Sequence, residues 1–348
     1  MVSLHRGIGA PTAPTCTVCI ANYNGRGLLR DCIDSILAQT FASGIEILVH
    51  DDASTDDSVA WLLQHYPQVS VLASERNVGF CIGNNRMAAA ASAPFLLLLN
   101  NDAALLPDAI QALVDGSVEA GEGSILTLPQ YDWQDGTLID RGCLLDPFYN
   151  PLPSLRDGDR EVAMTIGACL WIARDTWRAL GGFPEWMESI GEDLYLCCAA
   201  RLRGGRVVAL ARSGYRHWQG KTFGGNRATG DKLTTTLNRR RLSERNKTFA
   251  MVTCTPTSGA WLLLGLHLLL LLSEGAALAV LRGDRRLFGE VYLNVPRQLW
   301  MRRATLMSLR RANLATRSAG TWAYFRVFRP FPRKLAMLFR YGLPRIRH

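Results

Sequence analysis

Short apolar runs alternate with longer amphipathic segments over the first hundred residues of the chain. Four runs are apolar almost throughout, and each predicts a strand: residues 16–23, 45–50, 69–74 and 94–100. Three intervening segments predict helices with one apolar face or a high alanine content: residues 30–40, 56–66 and 83–93. Strands that are apolar on both faces and separated by helices are typical of a parallel sheet covered on both sides.

Polar residues follow three of these predicted strands directly. They are residues 22–24, the pair Asp51-Asp52, and the run Asn100-Asn101-Asp102. Because ligands of parallel sheets bind beyond the carboxyl ends of the strands, this recurrence predicts a binding site at that edge.

Regular patterning weakens between residues 129 and 159 and then returns. The second half of the pattern predicts a strand, a helix closed by two glycines, a second helix and a further strand: residues 165–173, 174–183, 191–205 and 206–210. A glycine-rich loop over 217–226 is of a kind that orders over a ligand. We therefore expect an N-terminal extension (1–15), an α/β domain (16–230) and a basic, hydrophobic helical region (231–348).

Composition excludes a disordered or fibrous chain, since 48% of the 348 residues are hydrophobic and 20% are charged. The net charge of +9 is unevenly distributed: residues 1–230 carry −8, whereas residues 282–348 carry +14. Large aromatic residues are interleaved with the arginines of this tail, among them Trp300, Trp322, Tyr324, Phe325, Phe328, Phe331 and Phe339.

Arginine mixed with large aromatic residues is typical of a segment that lies on an anionic membrane surface. Ordinary helical packing and stacking on single-stranded nucleic acid are the alternatives. The net positive charge lies C-terminal to the α/β domain and not within it. This position argues against nucleic acid as a partner.

Residues 248–273 carry no formal charge, and 13 of them (260–272) form an almost entirely apolar run that contains His267. A spanning helix needs ~20 apolar residues, and Ser273 and Glu274 interrupt this run. A buried core helix, a re-entrant segment and a single span all stay open. We expect a membrane-embedded or interfacial helix in preference to a full span.

The nine cysteines are scattered. Cys16 and Cys19 are close, but residues i and i+3 of a strand face opposite sides and cannot share a metal. We therefore expect free thiols in a reducing compartment. Residues 1–15 lack the apolar run of a signal peptide, so we expect a cytoplasmic location.

Two motifs follow predicted strands and suit a nucleotide. Asp51 or Asp52 can accept a hydrogen bond from a base or a ribose; the alternative is that Ser54 or Thr55 only caps the next helix. In residues 77–85, glycines between a strand and a helix allow close approach of a phosphate, although an ordinary turn explains them equally.

Two further motifs offer carboxylates. Asn100-Asn101-Asp102 supplies oxygen ligands for Mg²⁺ or Mn²⁺, or else only forms a turn after a buried strand. Glu192-Asp193 opens a predicted helix, where an acid also interacts with the helix dipole. His217 follows 24 residues after Asp193 and is either a ligand or a structural histidine.

In this order, the motifs resemble those of the family 2 glycosyltransferases, most closely the bacterial rhamnosyltransferase-like branch. The resemblance covers about residues 16–226 and rests on Tyr23-Asn24, residues 51–56, 77–85, 96–107, 167–185 and 191–205, and His217. It implies the GT-A fold: an α/β, mainly parallel mixed sheet with helices on both faces, here followed by a C-terminal helical membrane-associating region.

The resemblance implies a nucleotide site formed by Asp51, with Asp52 beside it and with Ala21 and Tyr23 lining the same pocket. The glycine turn and the strand end complete the expected donor contacts through Gly79, Asn84 and Asn100. We add Lys221 of the glycine-rich loop as a pyrophosphate contact.

The resemblance also implies a metal site and a general base. Asp102 would hold Mg²⁺ or Mn²⁺, because the family's Asp-x-Asp motif is Asn100-Asn101-Asp102 here, and His217 would complete the site. Asp193, preceded by Glu192, would take the proton of the acceptor hydroxyl as it attacks the anomeric carbon, with one inversion.

The expected activity is transfer of a sugar from a dTDP- or UDP-sugar, with rhamnose the sugar that the branch suggests. The acceptor would be a saccharide, lipid-linked at the cytoplasmic face of the bacterial inner membrane, in cell-surface polysaccharide synthesis. A sugar nucleotidyltransferase and a catalytically degenerate subunit of a membrane assembly are the alternatives. The sequence does not predict the donor, the linkage or the oligomeric state.

Overall fold

The apolar runs near the start of the chain form neighbouring strands of one sheet in the computed structural model, which describes residues 2–158, 160–218, 227–229, 232–342 and 345–347. The chain divides into two units. Unit 1 comprises Met1–Gly142, Pro153–Ser189 and Gly205–Trp218, and unit 2 comprises Cys143–Leu152, Ile190–Gly204 and Gln219–His348. The units interleave along the chain, and the expected division at residue 230 stays a prediction.

Unit 1 contains an eight-stranded mixed sheet built from described residues. Its strands, in sequence order, are β1 (Val2–His5), β2 (Cys16–Asn22), β3 (Ile45–Asp51), β4 (Ser70–Ser74), β5 (Phe95–Asn100), β7 (Ile125–Thr127), β12 (Cys169–Ala173) and β13 (Val207–Ala209). The order across the sheet is β1-β4-β3-β2-β5-β12-β7-β13, and β4, β3, β2 and β5 run parallel.

The parallel strands are buried because both of their faces are covered, and alternate residues serve the two faces. Val18, Ile20, Val49 and Leu97 of these strands join one core cluster with the apolar residues of three helices. The helices of that cluster are α1 (Arg26–Leu37), α2 (Ser58–His65) and α4 (Ala109–Ala120). A further helix, α3 (Phe80–Ala90), packs against β2 and β3.

A second, four-stranded sheet of unit 1 brings distant parts of the sequence together. Its strands are β6 (Ala103–Leu105), β8 (Gln130–Asp132), β9 (Leu138–Asp140) and β14 (Tyr215–His217), in the order β6-β14-β8-β9. Strand β14 runs antiparallel to β6 and parallel to β8, and this register places His217 opposite both Ala103 and Asp132. The remaining helical elements of this unit are α5 (Arg174–Leu180) and a 3₁₀ turn, Glu185–Met187.

The predicted fold is confirmed, with shifted boundaries. The sheet is mixed and mainly parallel near the candidate site, and α5 ends at Gly181 and Gly182, both with positive φ, as the two glycines predict. The N-terminal extension contains an edge strand, because β1 pairs antiparallel with β4. The proposed cap at Ser54 or Thr55 is wrong: α2 begins at Ser58.

Unit 2 is mainly helical. Its described helices are α6 (Glu192–Leu202), α7 (Leu237–Cys254), α8 (Ala260–Arg282), α9 (Arg285–Leu287), α10 (Asn294–Met301), α11 (Arg303–Ala315), α12 (Thr321–Phe325) and α13 (Arg333–Tyr341), with a π-helical segment at Phe288–Tyr292. Its short strands are β10 (Cys143–Leu145), β15 (Arg227–Thr229), β16 (Lys232–Thr236) and β17 (Arg345–Arg347). The last residue of β11 (Pro151–Pro153), which pairs with β10, belongs to unit 1.

The apolar run over residues 260–272 lies in the long helix α8, and part of this helix belongs to the core. Leu271 and Leu278 of α8 pack with Val291, Tyr292 and Val295 in a small apolar cluster. Within the described residues, α8 is one helix that is long and apolar enough to cross a membrane, by length and composition only. Only 22% of its most apolar window is buried.

The nine cysteines are all buried, and all are free thiols in the described part of the chain. Burial raises the pKa of Cys16 and of Cys169 to about 12, so these thiols stay protonated. The expectation of core thiols is confirmed.

Candidate active site

The carboxyl ends of β2, β3 and β5 carry the polar residues of the candidate nucleotide site. The parallel register sets Asn22 beside Asp51, and Ala21 beside Asn100. Asn101 donates from Nδ2 to Asn22 Oδ1 at 2.9 Å, and Asn22 Nδ2 donates to Asp51 Oδ2 at 2.9 Å. The three strand ends are thus joined by one chain of buried side-chain hydrogen bonds.

A glycine makes this chain of hydrogen bonds possible. A Cβ atom at Gly25 would lie 2.2 Å from Asn101 Nδ2 and 2.4 Å from Asn22 Oδ1, so any other residue would collide with the pair. Gly25 also precedes α1, whose first turn therefore starts beside the strand ends.

Asp51 is 2% exposed and organises the loop that follows its strand. Its Oδ1 accepts from the Ser54 backbone N–H at 2.9 Å, and its Oδ2 accepts from the Ser54 hydroxyl at 2.7 Å. Ala53, between them, has φ of +60°, a left-handed conformation that costs of order 1 kcal/mol for a non-glycine residue. The carboxylate of Asp51 holds this strained turn in place.

Asp52 holds the second motif. Its Oδ1 accepts from the Val78 N–H at 2.7 Å and its Oδ2 from the Gly79 N–H at 2.8 Å. Gly79 itself has φ of +88° and precedes α3. The carboxylate therefore fixes the glycine turn at the start of that helix, a task that the sequence pattern does not predict.

The other predicted nucleotide contacts differ in their surroundings. Tyr23 is 47% exposed beyond the end of β2, and Ala21 is half-buried. Asn84 is 1% exposed and donates to the Phe80 carbonyl at 2.9 Å, so its amide is used within α3. Lys221 lies outside the described residues.

Asp102 and His217 meet at the start of the second sheet. Strand β14 pairs with β6, so His217 Nε2 comes to 3.0 Å from Asp102 Oδ1, with Asn100 Nδ2 at 3.4 Å from the same nitrogen. Both residues are buried: Asp102 is 4% exposed and His217 is 7% exposed. Among the described residues, His217 Nδ1 has no hydrogen-bond partner.

This pair fits a divalent cation in part. Its donors are a carboxylate oxygen and an imidazole nitrogen, and their spacing of 3.0 Å is close to that of adjacent ligands at ~2.1 Å from an octahedral ion. In the described part of the chain, no three His, Cys, Asp or Glu side chains converge as a metal site. The remaining positions therefore require a ligand from outside this residue set, and a diphosphate has the right oxygens.

A pair of tryptophans follows the same two strands. Trp133 and Trp218 come directly after β8 and β14, and their rings stack with centroids 5.2 Å apart and planes at 21°. The backbone N–H of Trp218 donates to the backbone carbonyl of Asp102 at 3.0 Å. The aromatic pair therefore adjoins the candidate metal ligands. Both rings are half-buried and offer a flat apolar surface.

A buried carboxyl group adjoins this sheet as well. Asp140 in β9 accepts from the Gly142 N–H at 2.9 Å, and burial raises its pKa to about 6 against the lowering influence of His217. Sequence reasoning missed Asp140, Trp133 and Trp218, because only the pairing of β8, β9 and β14 brings them beside His217.

The second acidic pair lies in unit 2, at the start of α6. Gly191 precedes this helix with φ of +99°, and Glu188 and Ile190 also have positive φ, at +68° and +66°. Asn246 of α7 donates from Nδ2 to the Ile190 carbonyl at 2.8 Å and supports the turn. Strained backbone of this kind is concentrated at functional sites.

Glu192 and Asp193 have unlike surroundings. Glu192 is 5% exposed, and its Oε2 has no hydrogen-bond partner among the described residues. Burial, and then the charge of Asp193, raise the pKa of Glu192 to about 8. Asp193 is half-buried, and its Oδ1 accepts from the Leu194 N–H at 2.7 Å.

Arg239 is the basic residue that faces this pair. It lies in the first turn of α7, and the charges of Asp193 and Glu192 partly offset the lowering of its pKa by burial. The sequence analysis placed Arg239 only within the basic helical region 231–348. Arginines stand at three consecutive positions, 239–241, and nothing in the sequence distinguishes Arg239 from the other two.

The fold matches known glycosyltransferases. One similar structure is that of GalNAc-T7 with UDP, GalNAc and Mn²⁺. It is 17% identical, with a TM-score of 0.52 over 71% of this chain and 52% of that chain. At this identity the likeness concerns the fold alone. The fold class is therefore GT-A, that of nucleotide-sugar-dependent glycosyltransferases.

The sequence comparison supports the same family for the first half of the chain. Residues 17–175 match the model of glycosyl transferase family 2. The matched segment contains the Asp51-Asp52 pair, the glycine turn and the Asn100-Asn101-Asp102 run.

Two relatives are similar over about half of the chain. The O-antigen biosynthesis protein RfbC of Myxococcus xanthus is 28% identical over 55% of this chain and 16% of its own length. The N-acetylglucosaminyl-diphospho-decaprenol L-rhamnosyltransferase of Mycobacterium tuberculosis is 27% identical over 44% of this chain and 59% of its own length. The chain thus spans less than two thirds of either relative.

Proposed function

We propose that the protein transfers a sugar from a nucleoside diphosphate donor to a saccharide acceptor, with inversion at the anomeric carbon. The observation that carries the proposal is that one edge of unit 1 presents both the hydrogen-bonded Asp51 loop and the Asp102–His217 pair. The first suits a nucleoside, and the second suits the diphosphate with its counter-ion.

The donor site follows from this arrangement. Asp51 already accepts three hydrogen bonds from the protein, and its carboxylate oxygens retain acceptor capacity for a base N–H or a ribose hydroxyl. The exposed ring of Tyr23, two residues after Ala21, suits stacking on the base. We propose a dTDP- or UDP-sugar, since the M. tuberculosis relative is named a rhamnosyltransferase and the GalNAc-T7 structure contains UDP.

Asp102 and His217 would hold Mg²⁺ or Mn²⁺, with Asn100 beside them. A divalent cation in this position supplies neutralisation of the negative charge that develops on the departing diphosphate.

Asp193 is proposed as the general base. Its carboxylate would accept the proton of the acceptor hydroxyl while that oxygen bonds to the anomeric carbon and the bond to the diphosphate oxygen breaks. Glu192, protonated near neutral pH because of its raised pKa, would keep the negative charge at this turn to a single carboxylate, that of Asp193.

The acceptor is proposed to be a saccharide on a lipid carrier. The stacked faces of Trp133 and Trp218 suit the C–H face of a sugar ring, and the M. tuberculosis relative is named for a diphospho-decaprenol acceptor. Residues 231–348, with their excess of arginine, would bind an anionic membrane at the cytoplasmic face of the bacterial inner membrane.

The test is a donor screen followed by transfer. The full chain is mixed with dTDP- and UDP-sugars in Mn²⁺ or Mg²⁺, and the donor that raises the melting temperature most is assayed with a lipid-linked disaccharide acceptor. We expect nucleoside diphosphate release that depends on the acceptor. Release of pyrophosphate would instead indicate a nucleotidyltransferase, and absence of nucleotide binding with Mn²⁺ would indicate a degenerate subunit.

A further inference from the structure

Helix α8 has an exposed stripe that contains no charged residue. Its exposed positions recur every three to four residues along the helix and therefore share one face: Trp261, Leu262, Gly265, Leu266, Leu269, Leu270, Ser273, Ala276, Ala277, Val280 and Leu281. At 1.5 Å per residue the stripe is ~30 Å long. Leu262 and Val280, near its two ends, are 82% and 81% exposed.

The opposite face of α8 is packed against the rest of unit 2. Ala260, His267, Leu271, Gly275 and Leu278 are buried along it. A Cβ atom at Gly275 would lie 2.3 Å from the Tyr292 ring, so glycine allows the π-helical segment to approach closely. On this side the helix therefore contacts protein at intervals from Ala260 to Leu278.

Ion pairs join the packed side of α8 to neighbouring helices. Glu274 of α8 pairs with Arg240 of α7 at 2.5 Å and with Lys334 of α13 at 2.6 Å. Lys334 also pairs with Glu244 at 2.6 Å, and Glu244 with Lys247 at 2.6 Å. Glu274, which interrupts the apolar run in the sequence, thus joins α8 to two other helices.

This ion-pair network disfavours a helix that crosses the bilayer. A spanning α8 would bring Glu274 and its partners on α7 and α13 to the depth of the hydrocarbon, where charged side chains are rare and costly. A helix that lies flat keeps all of these charges on its protein side. Only its apolar stripe is then in contact with the lipid.

Charge distinguishes a lipid surface from a second copy of the chain as the covering partner. Residues 231–348 carry +17, so two copies packed through this region would repel each other. Arg282, Arg285 and Arg286 are exposed directly after the stripe. At the other end Trp261 is 48% exposed. Tryptophan and arginine at the ends of an apolar face are typical of a bilayer interface.

We infer that α8 lies in the plane of an anionic membrane, with the stripe from Trp261 to Leu281 among the acyl chains and Glu274 facing the protein. The inference rests on the part of the proposed function that assigns residues 231–348 to a membrane, and it adds the surface and its orientation. It also excludes the single span that the sequence left open.

Depth measurements test the orientation. Cysteine is introduced singly at Leu262, Leu270 and Leu281 of the full chain and labelled with a nitroxide; the native thiols are all buried, so the unsubstituted protein serves as the blank. On vesicles of phosphatidylethanolamine with phosphatidylglycerol, we expect the three labels at one shallow depth. A label at Val118 in unit 1, where the side chain is 84% exposed, is expected to stay in water.

Either of two results would overturn the inference. A deep label at position 270 with shallow labels at 262 and 281 indicates a span, and three labels in water indicate that another partner covers the stripe. Nucleoside diphosphate release from the donor, measured without vesicles, is independent of these depths. Failure of the inference is therefore distinguishable from failure of the proposed transferase activity.

Vesicle flotation measures the contribution of the stripe. Replacement of Leu266, Leu269 and Leu270 by glutamate is expected to lower the bound fraction at least ~10-fold, because apolar contact is lost and anionic lipid repels the new charges. The matched control is Leu155→Glu, at an exposed leucine of unit 1, which should float like the native protein. Equal flotation of both variants would contradict the inference.

Discussion

Two adjacent acidic pairs of this chain, Asp51-Asp52 in unit 1 and Glu192-Asp193 in unit 2, have opposite relations to the backbone. Asp51 and Asp52 together accept five hydrogen bonds from Asn22, Ser54, Val78 and Gly79. Glu192 has an oxygen without a hydrogen-bond partner among the described residues, and its pKa is raised to about 8.

The difference lies in what each pair can do with a proton. Carboxylates that accept several N–H and O–H bonds are stabilised as anions and serve as fixed acceptors. A carboxyl group that is buried with few partners takes up a proton near neutral pH, and this property is common at catalytic turns. The first pair therefore organises loops, and the second is proposed to handle the proton of the reaction.

The largest effect is expected from Asp193→Asn. Loss of the general base should lower sugar transfer ~10³-fold, with little change in donor affinity, since Asp193 is proposed to act only on the acceptor hydroxyl. Transfer is measured under single turnover, and donor binding by calorimetry. Asp175→Asn, at an aspartate whose side chain is 93% exposed, should behave like the native protein. Full activity of Asp193→Asn would remove the distinction between the two pairs.

The next effect concerns the metal. Asp102→Asn should raise the Mn²⁺ concentration needed for half-maximal donor binding ~100-fold, because the carboxylate beside His217 is lost. Nucleotide-sugar binding is titrated against Mn²⁺ by calorimetry. The exposed Asp135→Asn variant of the same unit is the control. An unchanged Mn²⁺ requirement would show that another group holds the ion.

A smaller effect, on stability, is expected from Asp52→Asn. The amide would set an N–H group against the Val78 or Gly79 N–H, which should lower the free energy of unfolding by ~1–3 kcal/mol. Urea unfolding measures this loss, and Asp193→Asn should show little of it. Equal stability losses in the two variants would mean that both pairs serve the backbone alike.

The smallest effect is the pH dependence of Glu192→Gln. The pKa of Glu192 is raised from 4.5 to about 8 on folding, so the unfolded chain releases this proton at lower pH than the native protein does. Native stability therefore falls as pH rises between these values and levels off above them. Glutamine does not titrate, so the variant should gain stability relative to the native protein from pH ~5 to ~8. A urea midpoint difference that is constant over this range contradicts the raised pKa.

Periodicity predicted the parallel strands, because each is a continuous apolar run, and it placed Asp51 and Asn100 at strand ends. The sequence pattern also predicted the start of α6, where Gly191 precedes the two acidic residues Glu192 and Asp193. These features are local, and a few neighbouring residues determine each of them.

Features that depend on distant pairing were not predictable from pattern alone. Asp102 and His217 are 115 residues apart and meet only because β14 pairs with β6. The hydrogen bonds from Val78 and Gly79 to Asp52 depend on how β3 and the start of α3 are arranged in the fold. The sequence of α8 is apolar on nearly every side, so it does not predict which face packs against protein. The ion pairs of Glu274 with Arg240 and Lys334 identify that face in the structure.

The leaving group and the product anomer test the central claim most directly. The full chain is incubated with Mn²⁺, the preferred nucleotide sugar and a lipid-linked acceptor, and the first product is examined by NMR beside a reaction with Asp193→Asn. The account predicts nucleoside diphosphate and a glycoside of inverted anomeric configuration, both nearly absent with the variant. A product with retained configuration, or equal product from the variant, would contradict it.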